Sequence, residues 1–277
     1  MKSTPSVTLI ITTYNWPETL KVTLKSVLNQ VRLPEEIIVA DDGSAADTGM
    51  VVQEVLGPSS LKWRHVWHED RGIRQSRIKN LAVSYSTGSY LIFIDQDVLL
   101  HPRFIEDHMR MAKKGVFLQG KRVLLSKKYT NRIISNGKAC IPSFSIHSLS
   151  NRKNALRIPW ASKILSREKG FQTTLRGSNL SVHREDFIKV DGFDEIYDGM
   201  WGREDSDICY RMFHSGIRCK NLWFSAIQYH LYHEKAKRKD IYILDNEIKK
   251  VLHEKRRKAI KGISKLSSEG GIIASSG

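Results

Sequence analysis

Residues 90–102 read YLIFIDQDVLLHP, an apolar run that ends in two carboxylates one residue apart, Asp95 and Asp97. Burying one unpaired carboxylate is costly and burying two side by side costs more. The pair therefore belongs at the mouth of a core strand, where a cation or solvent reaches it. Just upstream, Ile78, Leu81, Ala82 and Tyr85 recur at helical spacing and stop at Gly88, so a helix precedes the strand expected over 90–94. Further back, residues 7–12 are β-branched and apolar, residues 14–17 break that strand, and Leu20, Leu24, Val27, Leu28 and Val31 mark a helix ended by Leu33 and Pro34. Residues 36–40 read as a second strand closed by turn chemistry at 41–44, with a third short strand at 63–67. Strands alternating with helices predict an α/β fold, its central sheet mostly parallel and covered on both faces.

In such sheets ligands collect outside the carboxyl ends of the strands. Polar clusters fall at three of them, residues 12–15, 41–44 and 95–97. One cluster is ordinary turn chemistry, but three at successive strand ends, two with paired carboxylates, predict a binding site. Over residues 121–170 the periodicity weakens and loops are expected. Regularity resumes at 173–182, then in a helix over 204–215 and one apolar strand over 222–229. From Glu234 onward twelve Lys and Arg face six Asp and Glu, +6 of the chain's +16, in a charged segment of helical pattern. Its apolar residues Ile241, Leu244, Ile248, Val251, Leu252 and Ile263 form a stripe that either packs on the domain or presents a basic helix to an anionic membrane. The last residues, rich in Ser and Gly, read as frayed.

A chain of 277 residues with 40% hydrophobic content can bury a core of its own. Cys140, Cys209 and Cys219 form no CxxC pair, which argues against a disulfide scaffold or thiolate metal site and for a reducing compartment. No run approaches the roughly 20 apolar residues that span a bilayer. The +16 charge would attract nucleic acid, anionic lipid or a phosphorylated small molecule. An Asp-x-Asp arrangement suits Mg²⁺ or Mn²⁺, whose remaining positions water and phosphates fill. With no GxxxxGK[ST] loop and no GxGxxG fingerprint, an NTPase or dinucleotide dehydrogenase is disfavoured, leaving metal-assisted transfer with a nucleoside diphosphate leaving group.

Five pieces stand in one order: LIITTYNWPETLKVTLKSVLNQ, IIVADDGS, GIRQSRIKNLAVSYSTGSYLIFIDQDVLLHP, GSNLSVHREDFIKVDGFDE and MWGREDSDICYRMFHSG. Together, over residues 6–234, they resemble a GT-A fold glycosyltransferase of the family 2 type. The second half also resembles the galactosyltransferase-like segment of animal galactosyltransferases and polypeptide N-acetylgalactosaminyltransferases. The resemblance implies a Rossmann-like, nucleotide-sugar-binding domain over 1–234, divided into a nucleotide half (1–118) and an acceptor half (119–234), followed by a basic helical tail over 235–277.

By the same resemblance, Thr12, Tyr14, Asp41 and Asp42 seat the nucleotide base, with Tyr14 offering a ring face for stacking. Arg77, with Arg74 as second candidate, matches the basic position that meets the diphosphate. Ile78 after Arg77 departs from the family's usual Arg-Asn pair. Asp97 and Asp95 match the metal motif, Asp95 being shared with the ribose, and His230 is the expected downstream ligand with His233 as its alternative. The order HxxHE is neither HExxH nor HxxEH, so a zinc peptidase is excluded. Asp205 matches the catalytic base of an inverting transfer and Glu204 orients the acceptor, although acids at a helix start also answer the helix dipole. Trp201 and Gly202 would form a sugar platform, and Gly177 and Asn179 the edge of the donor-sugar pocket.

The implied activity is metal-dependent inverting transfer, with Mn²⁺ or Mg²⁺, from a UDP-sugar to a saccharide or glycolipid acceptor in bacterial cell-surface polysaccharide or lipopolysaccharide synthesis. The implied location is cytoplasmic or peripheral on the inner face of the membrane. Two alternatives compete, a basic nucleic-acid-binding protein and a non-catalytic sugar-binding relative. The first is opposed by the acidic clusters, which repel phosphate when no metal is present.

Overall fold

The computed structural model describes residues 4–142, 149–172, 177–234 and 241–276. The nucleotide half runs β1 (Val7–Thr13), α1 (Pro17–Leu28), β2 (Glu36–Asp41), α2 (Ala46–Leu56), β3 (Lys62–Trp67), α3 (Gln75–Tyr85), β4 (Tyr90–Asp95), β5 (Val98–Leu100) and α4 (Phe104–Met111). The chain continues through β6 (Val116–Gln119), β7 (Arg122–Leu125), α5 (Lys127–Asn136), β8 (Leu149–Ser150), α6 (Pro159–Leu165), β9 (Glu168–Lys169), β10 (Asn179–His183) and α7 (Arg184–Lys189). It ends with α8 (Glu204–His214), β11 (Arg218–Asn221), β12 (Gln228–His230), α9 (Ile241–His253) and β13 (Gly271–Ser275).

Period-two strands bury both faces because helices lie on both sides. Val7, Leu9 and Ile11 of β1 pack with Leu20 and Leu24 of α1, Val52 of α2 and Phe104 of α4. Ile10, on the opposite face, packs with Ile78 of α3, Phe187 of α7 and Ile208 of α8. Among the described residues the main sheet is ordered β13-β3-β2-β1-β4-β10-β6-β11-β9 and a smaller one β5-β12-β7-β8. The four strands β3, β2, β1 and β4 are parallel as expected, but β10 runs antiparallel to both β4 and β6, so the whole sheet is mixed. A parallel neighbour needs a crossover back to the same end of the sheet, and β10 enters from the far end without one.

Other expectations are corrected. The apolar run over 222–229 is not one strand. The chain leaves the main sheet after β11, bends through Phe224 (φ 54°) and Ala226 (φ 47°), and enters the smaller sheet as β12. The segment 121–170 is not only loop, since it holds α5 and α6. Ser126 caps α5 by accepting from the Tyr129 N–H at 3.3 Å, and Gly137 closes it in the left-handed region. Of the stretch 173–182, residues 173–176 lie outside the described residues.

Among the described residues of the C-terminal segment the α-helix ends at His253, and one 3-10 turn follows at Ile263–Lys265. α9 buries Leu244 and Val251 and meets α8, where Arg203 Nε donates to Asp245 Oδ1 at 2.6 Å. The chain then crosses two buried acids. Asp194 accepts from the backbone of Ile260 (2.6 Å) and Lys261 (3.0 Å), and Asp191 accepts from the backbone and hydroxyl of Ser264 (2.8 Å each). The Ser/Gly-rich end is not frayed, because β13 pairs antiparallel with β3 and covers its otherwise open edge.

Candidate active site

The parallel register brings the three polar strand ends together. Thr12 lies between Ala40 and Asp95, and Thr13 lies beside Asp41. Thr12 Oγ1 is buried without a partner. Asp41 accepts from the Ser44 N–H (2.8 Å) and pairs with His65 Nε2 (2.8 Å). Asp42 pairs with His68 Nε2 (2.7 Å) and accepts from the Arg74 N–H at 3.1 Å on Oδ2. Tyr14 is 45% exposed, and its hydroxyl donates to Asp70 at 2.9 Å. Gly43 (φ 95°) lets this loop close, since a Cβ there would stand 2.6 Å from the Asp70 Cα. Gln96, the middle residue of Asp-x-Asp, ties β4 to β1: its oxygen accepts from the Thr13 hydroxyl and the Tyr14 N–H, and its amide donates to the Tyr14 carbonyl at 3.0 Å.

Beyond Gln96, β5 pairs with β12, with Val98 opposite His230, and the Leu231 N–H donates to the Asp97 carbonyl at 2.9 Å. This ladder sets His230 Nε2 3.4 Å from Asp97 Oδ2. His233 Nε2 reaches the same oxygen at 3.2 Å, so the structure brings both histidines to Asp97. The three ligand atoms lie within 4.8 Å of one another, and Asp97 Oδ1 is buried without a partner. His233 Nδ1 lies 2.8 Å from the Glu234 carbonyl and must carry the proton there, which leaves the Nε2 lone pair facing Asp97. Two lone pairs meeting at 3.2 Å call for a cation between them, a proton or a metal. Hydrogen bonding to Asp97 accordingly raises the His233 pKa above the ordinary imidazole value, while burial lowers that of His230. Burial alone would push Asp97 up, but the His233 hydrogen bond and the charges of both histidines hold it below the usual carboxylate value.

A second charged cluster lies at the start of α8. The chain enters through Gly202 (φ 113°) and Arg203 (φ 76°), and Glu204 and Asp205 form the first turn. Lys79 of α3, buried and lying over the Phe193 ring, places Nζ 3.6 Å from Glu204 Oε1 and 3.7 Å from Asp205 Oδ1. Asp205 Oδ2 accepts from the Gly177 N–H at 2.8 Å, whereas Oδ1 has no hydrogen-bond partner. A Cβ on Gly177 would lie 1.9 Å from that Oδ1, so only glycine permits this approach. Burial and then Asp205 raise the Glu204 pKa, and Lys79 opposes them. Asp95 joins the two clusters: burial and Asp97 push it up to about 7, while Lys79 pulls it down. Trp201 and Gly202 line a shallow pocket with Ile73, Tyr197 and Met200 beside Glu204.

Three expected side chains point elsewhere. The Arg77 guanidinium is buried against the C-terminal segment, donating to the carbonyls of Glu269 (2.6 Å) and Ser267 (3.3 Å). That of Arg74 pairs with Glu269 at 2.9 Å and donates to the Glu69 carbonyl. A helix turns about 100° per residue, so the position that faces the acids is Lys79, two residues past Arg77. Its signal was its place three and four residues before the buried Ala82 and Val83. Asn179 is no open pocket edge. Its oxygen meets His108 Nε2 (2.9 Å) and its amide donates to the Ala226 carbonyl (3.0 Å), which knits β10 to α4 and the β11–β12 connection. Gln96, His65 and His68 were also missed, since their partners are distant in sequence. Asp198, missed as well, accepts from the Ser76 (3.0 Å) and Arg77 (3.3 Å) N–H groups at the start of α3.

The model of the Glycosyl transferase family 2 family matches residues 8–167, and that of the N-terminal domain of galactosyltransferase matches residues 165–234. A chondroitin synthase from Escherichia coli is 25% identical over 240 residues, 81% of this chain and 34% of the synthase. This chain thus spans about a third of that relative's length. A mannosyltransferase from Pyrobaculum calidifontis, solved with GDP-Man and Mn²⁺, superposes with TM-score 0.56 at 19% identity, covering 85% of this chain and 59% of that one. GalNAc-T7, solved with UDP, GalNAc and Mn²⁺, gives TM-score 0.61 at 16% identity, covering 90% and 48%. At such identities the two structures show a shared fold, that of GT-A glycosyltransferases.

Proposed function

Because the chain belongs to glycosyl transferase family 2, we propose that it is a metal-dependent inverting transferase carrying a sugar from a UDP-sugar to a hydroxyl of a saccharide or glycolipid acceptor. The observation that carries the metal part is Asp97, whose partnerless buried oxygen and two facing histidines form one set of ligand atoms. The spacing fits. Ligands about 2.1 Å from one ion at right angles stand about 3 Å apart, near the 3.2 and 3.4 Å found here. One carboxylate and two imidazoles suit Mn²⁺ better than Mg²⁺, which takes oxygen almost exclusively. The Mn²⁺ in the two superposed glycosyltransferases supports the same reading. Bound there, the cation supplies positive charge to the diphosphate leaving group.

The chain's own side chains do the rest. Tyr14 offers an exposed ring to the base, Thr12 an unpaired hydroxyl, and Asp41 and Asp42 carboxylates held in place by His65 and His68. Arg74 contributes through its backbone N–H, which fixes Asp42. Asp205 takes the proton of the acceptor hydroxyl on Oδ1, because the Gly177 N–H already occupies Oδ2. Lys79 orients Glu204 and Asp205 and opposes the rise that burial gives the Glu204 pKa, and Glu204 with Trp201 and Gly202 seats the acceptor. The proposed setting is polysaccharide or lipopolysaccharide assembly in the cytoplasm, where the three free thiols are at home.

A panel of UDP- and GDP-sugars incubated with the chain and saccharide acceptors, with Mn²⁺ or with chelator, tests this by release of nucleoside diphosphate. Turnover of a UDP-sugar that chelator abolishes is expected. Turnover of GDP-sugars alone would correct the base, and neither turnover nor binding of any nucleotide sugar would overturn the assignment.

A further inference from the structure

The seven-residue helix α6 buries only Ala161 and Ser162. Trp160 is 71% exposed, Ile164 56% and Leu165 50%, with Leu156 also exposed just before the helix. Trp160 and Ile164 are four residues apart and share one face. Single exposed hydrophobics need no explanation, but four within ten residues, one of them a tryptophan, form a patch that something covers. We propose that this face of α6 docks the chain on an anionic lipid surface.

Charge selects the lipid. Lys163 lies within the patch without an ion-pair partner among the described residues, and Arg167 Nε reaches back to the Ile164 carbonyl at 3.4 Å, keeping its cation beside the helix. The nearest acid in sequence, Glu168, is engaged by Lys113 at 2.7 Å. A tryptophan and aliphatic side chains beside long basic ones are what the interface of a bilayer accepts, with the indole at headgroup level and the cations reaching for phosphate. The helix is firmly seated on the body: the Ile158 N–H donates to the Phe224 carbonyl (3.0 Å), Ser162 bonds Ser225 (2.7 Å), and the Trp223 N–H donates to Ser166 Oγ (3.0 Å). These partners belong to the connection that leads into β12. In α9, by contrast, Lys249 and Lys250 lie on Asn246 and Glu247 of their own helix.

Flotation of the full chain with phosphatidylcholine vesicles, and with the same vesicles doped with phosphatidylglycerol, tests the proposal. Binding should be about tenfold tighter on the anionic vesicles. The double variant W160S/I164S and, separately, K163E/R167E should each lose about tenfold there, with circular dichroism unchanged. The variant K249E/K250E should bind as the parent does. Equal binding of parent and both α6 variants would overturn the proposal, as would loss confined to the α9 variant. Absence of vesicle binding together with Trp160-dependent dimerisation in light scattering would also overturn it, assigning the patch to a second copy.

Discussion

The nucleotide half keeps Asp41, Asp42, Asp95 and Asp97 at the carboxyl ends of apolar strands, whereas the half beyond α4 buries several acids in its interior. Asp107, on α4 at the border of the two, is held by groups of the second half, Arg157 at 2.7 and 2.9 Å and the Ala226 N–H at 3.0 Å. Asp207 lies against Arg211 at 2.5 Å, both fully buried, and Asp194 grips the backbone of residues 260 and 261. In the first half, hydrophobic periodicity builds the scaffold, with buried Glu36 tied to Thr8 and Arg64, and Asp41, Asp42, Asp95 and Asp97 stand at strand ends. In the second, polar pairs between distant segments are themselves the scaffold. Aspartates thus gather at the candidate site in the first half, whereas in the second Asp194 and Asp207 serve cohesion beside the candidate base Asp205, and substitutions should separate the two roles.

The largest effect is expected at the strand end. Asp97→Ala should abolish the Mn²⁺-dependent thermal shift produced by UDP while leaving the ligand-free melting temperature nearly unchanged, because the only oxygen ligand of the trio is lost. A shift that persists would place the metal elsewhere. Next comes Asp205→Asn, nearly isosteric but unable to take a proton. Transfer should fall roughly 10²–10⁴-fold with the UDP and Mn²⁺ shift retained, and full activity would remove Asp205 from the mechanism.

Lys79 sits where the two kinds of region meet. Lys79→Met should cost about 2 kcal/mol in denaturant unfolding, less than the 3–5 typical of a broken buried pair, because Asp205 is partly solvated. Activity carries a second signature. Lys79 lowers the Glu204 pKa that burial raises, so its removal raises that pKa further. Glu204 then protonates at higher pH, and the acid limb of the pH–rate profile should move upward. An unmoved limb would leave Lys79 a purely structural role. The smallest expected effects compare two hydrogen-bonded groups. Asp194→Ala should destabilise by about 1–3 kcal/mol, since the part-buried N–H groups of Ile260 and Lys261 lose their acceptor. Tyr14→Phe, which removes an exposed bond to Asp70, should cost under about 0.5 kcal/mol. Equal costs would erase the distinction between the halves.

Much of the first half is visible in local pattern. Strands β1 to β4, helices α1 and α3, and the three polar strand ends follow from periodicity and turn chemistry, which need only neighbouring residues. The same local signals existed for α5, in Ser126 and Gly137, but its weak apolar stripe hid them. Asp97 stands out by the Asp-x-Asp spacing, whereas Glu204 and Asp205 are singled out by the family resemblance, since acids at a helix start also answer the helix dipole. What cannot be seen in the chain is which partner each group meets. Lys79 rather than Arg77 faces Glu204 and Asp205 because α3 lies on the sheet at one particular rotation. His230 and His233 both reach Asp97 because the β5–β12 ladder sets their height. Asp191 and Asp194 hold the C-terminal segment, and β13 closes the sheet, because an open edge of N–H and C=O groups accepts even a Ser/Gly-rich strand. Periodicity is a property of consecutive residues, whereas register, helix rotation and competition for hydrogen bonds are settled between segments distant along the chain.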